Sequence, residues 1–214
     1  MAAVHGTTLG EPRYGVFLRP DPATCLIQSQ INTVLVQQFG IVSAAAFPPH
    51  ATLVGSLRTR AQPPELMSSV DRALAPVDRF TVYNSGIASS NGGWAYNVND
   101  GPDGQPNQAL HELASRVMAA LLPLALDAED SHTERIDSDS FRAHLSLASH
   151  DLLVEPRLKG EVGEFLKGLP LEPPATFLAQ TVSLYEFTTD DWRGQWWHAL
   201  SWRQLRSWQL GSGS

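Results

Sequence analysis

The chain has 214 residues, of which 43% are hydrophobic and 17% charged, with a single cysteine and a formal net charge of −7. This is enough apolar material for one sizeable core or two small lobes sharing an interface, and it excludes general disorder. It also excludes a disulfide framework or Cys-built zinc cluster within the chain, and the acidic balance speaks against a long basic nucleic-acid groove.

The opening MAAVHGTTLGEPR lacks the apolar core of a signal peptide, and no apolar run is long enough to span a membrane. A cytoplasmic protein is expected, with residues 1–12 as a flexible arm. Tyr14 to Leu18 reads as a strand. Asp21 followed by Pro22 is a helix-start signal, and Gly40 a stop, with Leu26, Ile27, Ile31, Val34 and Leu35 at helical spacing between them. Residues 50–57 alternate as a strand does, and 64–75 follow as a helix. RFTVYNSGIAS and GGWAYNV predict a hairpin turned at SNGG. Residues 107–124 carry an apolar helical stripe of Leu110, Leu113, Val117, Leu121 and Leu124. An acidic loop is expected over 127–140, a strand over 141–148 and a helix opening at Pro156. TFLAQTVSLYEF and QWWHALSW close the pattern as two strands. The expected domain spans 13–204, leaving 205–214 as a tail whose end, 211–214, reads as an expression scar. The two halves repeat approximately, as two α+β lobes related by a pseudo-twofold.

Two segments carry one pattern. FPPHATL, 47–53, and FRAHLSL, 141–147, both read F-x-x-H-x-[ST]-L. In a strand, residues i and i+2 share a face. His50 therefore sits beside Thr52, and His144 beside Ser146, while Ala51, Leu53, Leu145 and Leu147 turn into apolar packing. If the strands converge, two imidazoles and two hydroxyls meet. Such a set suits a phosphodiester: one ring acts as base and the other as acid, while the hydroxyls hold non-bridging oxygens. That chemistry requires no metal and no cofactor. A single H-x-[ST] is common, but two matching heptads have a chance frequency on the order of 10⁻⁵.

With HATL and HLSL in its two halves, the chain resembles the two-histidine (2H) phosphoesterase superfamily, also called LigT-like or cyclic phosphodiesterase-like. RYGVFLRP is similar to the family's first strand and TVSLYEF to the strand after the second motif's helix. The second motif departs from the family habit of Pro before the histidine, carrying Ala143 where the first has Pro49. The resemblance implies an α+β, bilobal pseudo-twofold fold, with two antiparallel sheets flanking a central cleft and helices outside. It implies a site of His50, Thr52, His144 and Ser146, with His144 as base, His50 as acid and the two roles exchangeable. It implies opening of a 2′,3′-cyclic phosphate on a nucleotide or short RNA end, 2′-5′ or cyclic-oligonucleotide cleavage, or 2′-5′ ligation. A non-catalytic binder of nucleotides or RNA ends on the same scaffold is the remaining alternative. The expected partner is a small nucleotide or short RNA, with no long nucleic acid and no membrane, bound by a monomer.

Tyr14, Trp94, Tyr185 and Trp196 are candidates to stack on a base. Arg58, Arg60 and Arg142 are candidates for a phosphate contact, with Arg142 the best placed because it shares a strand face with His144. His111, His150 and His198 are not expected to take part in catalysis, His111 near a helix start and His198 in a terminal strand reading as surface positions. The EDSHTE segment reads as a solvated loop rather than a metal site. There is no G-x-S-x-G elbow, P-loop or dinucleotide fingerprint.

Overall fold

The structure is a computed structural model describing residues 10–90, 92–126 and 140–211. Strand β1 (Arg13–Arg19) leads to helix α1 (Pro22–Phe39). The Asp21 side chain accepts from Thr24 N at 2.8 Å, and Gly40 closes the helix at φ 69° with its N–H on Val36 O, as the cap signals require. Next come β2 (Ala51–Leu57), α2 (Pro63–Leu74), β3 (Phe80–Tyr83), β4 (Ile87–Ser90), β5 (Gly93–Asn97) and α3 (Gln108–Leu121). The chain continues through β6 (His144–Ala148), α4 (His150–Val154), α5 (Lys159–Gly168), β7 (Thr176–Ala179), β8 (Thr181–Thr188) and β9 (Ser201–Gln209).

Seven strands run in the order β4-β5-β6-β2-β1-β8-β9, all neighbours antiparallel, and β3 pairs with β7 apart from them. The two expected sheets are the wings β4-β5-β6 and β2-β1-β8-β9. They meet at one pair, Ala51 opposite Leu145, so the pseudo-twofold passes between the two motif strands. Helices α1 and α5 pack together with α1 on β6, while α2 and α3 pack together with α3 on β2. One continuous apolar core joins them, including Ile31 and Leu35 of α1, Leu66 of α2, Leu113 and Val117 of α3 and Leu166 of α5. Among the described residues no helix is long and apolar enough to cross a membrane.

Several elements differ from the sequence expectation. Residues 79–89 are not one strand: Gly86, at φ 93°, separates β3 from β4, and the two join different sheets. TFLAQTVSLYEF likewise divides at Gln180 into β7 and β8. QWWHALSW is not a strand, because 196–199 form a 3-10 turn. The last strand instead runs from Ser201 to Gln209, through the first half of the expected tail, and buries Trp208. The helix expected to open at Pro156 is a 3-10 turn over Pro156–Leu158 followed by α5, and the short helix α4 lies before it. The acidic loop, EDSHTE and most of the expected scar lie outside the described residues.

Candidate active site

Register decides the site. In an antiparallel pair, residues opposite each other share a face. Ala51 opposite Leu145 sets His50 across from Ser146 and Thr52 across from His144. Ala51 and Leu145 are fully buried, so the four polar side chains emerge on the other face. All four line one cavity of about 570 Å³.

The two imidazoles are held alike. His50 Nδ1 lies 2.7 Å from Pro48 O, and His144 Nδ1 lies 2.9 Å from Arg142 O. A carbonyl oxygen only accepts, so each Nδ1 carries its hydrogen and Nε2 is left for exchange with the cavity. Their surroundings differ. His50 is half-buried and stacks on Phe17 at 3.8 Å between centroids, with Phe47 at 5.7 Å. Burial pushes its pKa down to about 4, opposed in part by the Pro48 hydrogen bond and aided to a lesser extent by His144.

Strand alternation explains the wall beside His50. Arg13, Gly15 and Phe17 pair with Phe187, Tyr185 and Ser183 and share the cavity-side face. Phe17, Tyr185 and Phe187 form a small aromatic cluster there, separate from the main core. Gly15 is required by close approach, since a Cβ would come within 2.7 Å of the Phe17 ring and 3.0 Å of Phe187. Gln28 of α1 supports β6 from its own side, its Nε2 donating to Ser146 O at 3.0 Å. Asn99 fixes the approach to His144: its Oδ1 accepts from Ala143 N at 3.1 Å and from His111 Nε2 at 2.9 Å.

The structure brings together only part of the expected binding set. Trp196 lines the cavity from the 3-10 turn, edge-on to Phe47 and His150. Trp94 also lines it, anchored by Nε1 on Lys159 O. Tyr14 does not; it belongs to the opposite face of β1, packs in the main core, and its hydroxyl lies 3.4 Å from Glu186. Tyr185 is on the right face but packs behind Phe17, its hydroxyl on Gln204. Arg142 is exposed and precedes the strand, which begins at His144, so alternation does not apply; its Nη1 donates to Phe141 O, and its carbonyl, not its guanidinium, serves the site. Arg58 lies 4.0 Å from Glu11. His150 stacks on Trp197 in the cavity wall, His198 is exposed on Gln195, and His111 sits edge-on to Phe141. Arg13, Phe17, Trp192 and Trp197 line the cavity without having been singled out in the sequence. The alternation of β1 was the available signal for Arg13 and Phe17; the two tryptophans had none, being in an irregular turn.

A fold of two antiparallel wings with a histidine and a hydroxyl from each on one cavity face defines a two-histidine phosphoesterase arrangement. The family model of the 2′-5′ RNA ligase superfamily matches residues 20–191. The chain belongs to this superfamily, the two-histidine phosphoesterases, whose activities are of phosphoesterase or RNA-ligase type. No curated protein sequence matches it. Among solved structures, E. coli LigT complexed with ATP superposes with a TM-score of 0.52 at 16% identity, covering 94% of this chain and 99% of LigT. A structure described as a phosphoesterase gives 0.52 at 15% identity, covering 94% and 100%. E. coli LigT complexed with NADP+ gives 0.52 at 16%, covering 94% and 98%. At these identities the likeness is one of fold.

Proposed function

We propose that the protein is a metal-independent phosphodiesterase that hydrolyses a 2′,3′-cyclic phosphate on a nucleotide or short RNA end. The observation that carries this reading is the Ala51–Leu145 register, which turns two imidazoles and two hydroxyls toward one cavity. A pKa near 4 leaves His50 neutral at pH 7, the state a general base needs. His50 Nε2 takes a proton from water as the water oxygen attacks phosphorus in line with the departing ribose oxygen. His144, protonated, gives its proton to that oxygen as the P–O bond breaks. This reverses the division expected from sequence, because Phe17 and Phe47 enclose the first imidazole. Thr52 and Ser146 hydroxyls donate to the non-bridging oxygens and stabilise charge that grows in the transition state. The two imidazoles supply both proton transfers, so no step calls for a metal. With the 5′-hydroxyl of a second strand in place of water, the same two proton transfers open the cyclic phosphate, the 3′-oxygen leaving protonated and the 2′-oxygen staying on phosphorus, which keeps 2′-5′ ligation, after which the superfamily is named, as the second reading.

Small nucleotides fit the cavity volume, and E. coli LigT has been crystallised with ATP, 3′-AMP and NADP+. One chain builds the whole cavity, which supports a monomer, and a single half-buried Cys25 suits the reducing cytoplasm. Phosphorus NMR on adenosine 2′,3′-cyclic phosphate tests the reading. The expected result is conversion to one phosphomonoester at the same rate with and without EDTA. Abolition by EDTA, or an inert cyclic phosphate beside a turned-over 2′-5′ adenylate, would overturn it.

A further inference from the structure

Behind the α4 end of the cavity, one carboxylate ties three segments together. Asp151 Oδ2 accepts from Ser43 N at 2.7 Å, in the turn after α1. Its Oδ1 accepts from Trp197 Nε1 at 3.0 Å, in the 3-10 turn before β9. Its own N–H donates to Ser43 Oγ at 3.4 Å, and that hydroxyl lies 3.0 Å from Ser149 Oγ. Ser43 and Trp197 are buried, and Ala44, Ser149 and Trp197 line the cavity, while Asp151 itself does not.

Both groups that meet this carboxylate side chain are N–H donors, so both of its oxygens accept. A carboxylate meets that demand, whereas an amide in its place turns an NH2 onto one of the two donors. The bonds are charge-assisted and they cross the seam of the fold, because Asp151 follows β6 in one wing and Trp197 precedes β9 in the other. The turn that carries Trp197 is irregular, so side-chain bonds set its position. Thr189 Oγ1 adds to them by donating to Trp196 O at 3.1 Å.

The residue placed by this anchor is Trp196. Phe17 and Trp197 each have an imidazole stacked on a face, His50 at 3.8 Å and 21° and His150 at 5.4 Å and 20°. Trp196 differs: its ring neighbours among the described residues, Phe47, His150, Trp192 and Trp197, meet it at 83°, 65°, 46° and 85°, so none lies flat on it. A half-buried indole of this kind suits a stacked base. Phe47 touches both Trp196, at 6.0 Å, and His50, at 5.7 Å. A base on Trp196 and a phosphate at His50 are thus separated by the width of one ring, the breadth of a ribose. We propose that Asp151 is a positioning residue which, through Trp197, sets Trp196 as the stacking wall for the base of the substrate. This rests on the hydrolase reading above for the reacting end, and on the Asp151 bonds for the other.

Two substrates separate positioning from general support of the fold: adenosine 2′,3′-cyclic phosphate, and methyl β-D-ribofuranoside 2,3-cyclic phosphate, which lacks the base. In the wild type the base should raise kcat/KM by about 10- to 100-fold, the range of one stacked base. In Trp196→Ala that ratio should fall to within about threefold of unity. Asp151→Asn should lower it by at least about fivefold, and so should Trp197→Phe, which keeps a ring but deletes the Nε1 donor. The double variant Asp151→Asn/Trp197→Phe should lie no lower than about the lower single, because both changes break one bond. A wild type indifferent to the base, variants in which both substrates lose the same factor, or single losses that multiply in the double variant overturn the assignment.

Calorimetry with adenosine 3′-phosphate and its base-free counterpart, methyl β-D-ribofuranoside 3-phosphate, gives a readout that needs no turnover. The nucleotide should bind at least about 10-fold tighter, and Asp151→Asn should remove most of this gap while His144→Ala keeps it. That pattern in a protein inert toward both cyclic phosphates would sink the hydrolase reading and leave the positioning role standing. Equal affinities in the wild type would sink the stacking wall whatever the turnover.

Discussion

Replacing His50 with Gln removes a single ionisation whose environment is defined. The ring lies 3.8 Å from Phe17 and 5.7 Å from Phe47, and burial lowers its pKa from 6.5 to about 4. Between those values the unfolded chain binds a proton that the native protein refuses, so the native state loses stability as pH falls. Above about pH 6.5 the ring is neutral in both states and contributes no pH dependence. That lowering corresponds to roughly 3 kcal/mol in full, most of which is expressed at pH 4.5. Urea unfolding of wild type and His50→Gln at pH 7.5 and 4.5 measures this directly. Carboxylates titrate in both proteins, so the difference of differences isolates His50. The variant should lose about 2 to 3 kcal/mol less than wild type on acidification. Equal losses, within about 0.5 kcal/mol, would refute burial as the state of this ring and its assignment as base.

Phe17→Leu strips the stacked ring from His50 and should raise its pKa toward 6.5, read from the imidazole Hε1 titration by NMR; an unmoved titration would show that Phe17 does not desolvate it. Gly93→Ala drives a Cβ into the Ala148 carbonyl of the neighbouring strand and should destabilise by about 3 kcal/mol in urea; a loss below about 0.5 kcal/mol would contradict the β5–β6 packing. Asn99→Ala leaves Ala143 N–H and His111 without their shared acceptor. It should cost about 1 to 3 kcal/mol and lower kcat more than it raises KM, since the approach to His144 loosens; unchanged kcat would make the asparagine purely structural.

The sequence exposed the site wherever a local rule applied and failed where geometry is set from outside. Period-2 alternation put His50 with Thr52 and His144 with Ser146 without any knowledge of the sheet. Capping chemistry placed both ends of α1 to the residue. Tyr14 and Arg142 stand apart from the cavity for separate reasons: an apolar run such as YGVFL does not by itself reveal which face meets the cavity, and FRA before His144 is not strand. Arg13 was missed because the strand was read one residue short. Trp192 and Trp197 depend on a turn between β8 and β9 that no periodicity encodes. The tail reading failed because SWRQLRSWQ alternates poorly, its polar residues staying exposed at the sheet edge. The split of 79–89 and 176–187 into two sheets is a tertiary choice, marked in the first by Gly86 alone.

The central claim is that two imidazoles act on one phosphorus, and comparing single with double replacements tests it most directly. With adenosine 2′,3′-cyclic phosphate, His50→Ala and His144→Ala should each lower kcat by about 10²- to 10⁴-fold with folding retained. The double variant should be no slower than about the worse single, because removing either ring already breaks the paired proton transfer. Losses that multiply, or a single variant that retains wild-type kcat, would contradict the shared mechanism.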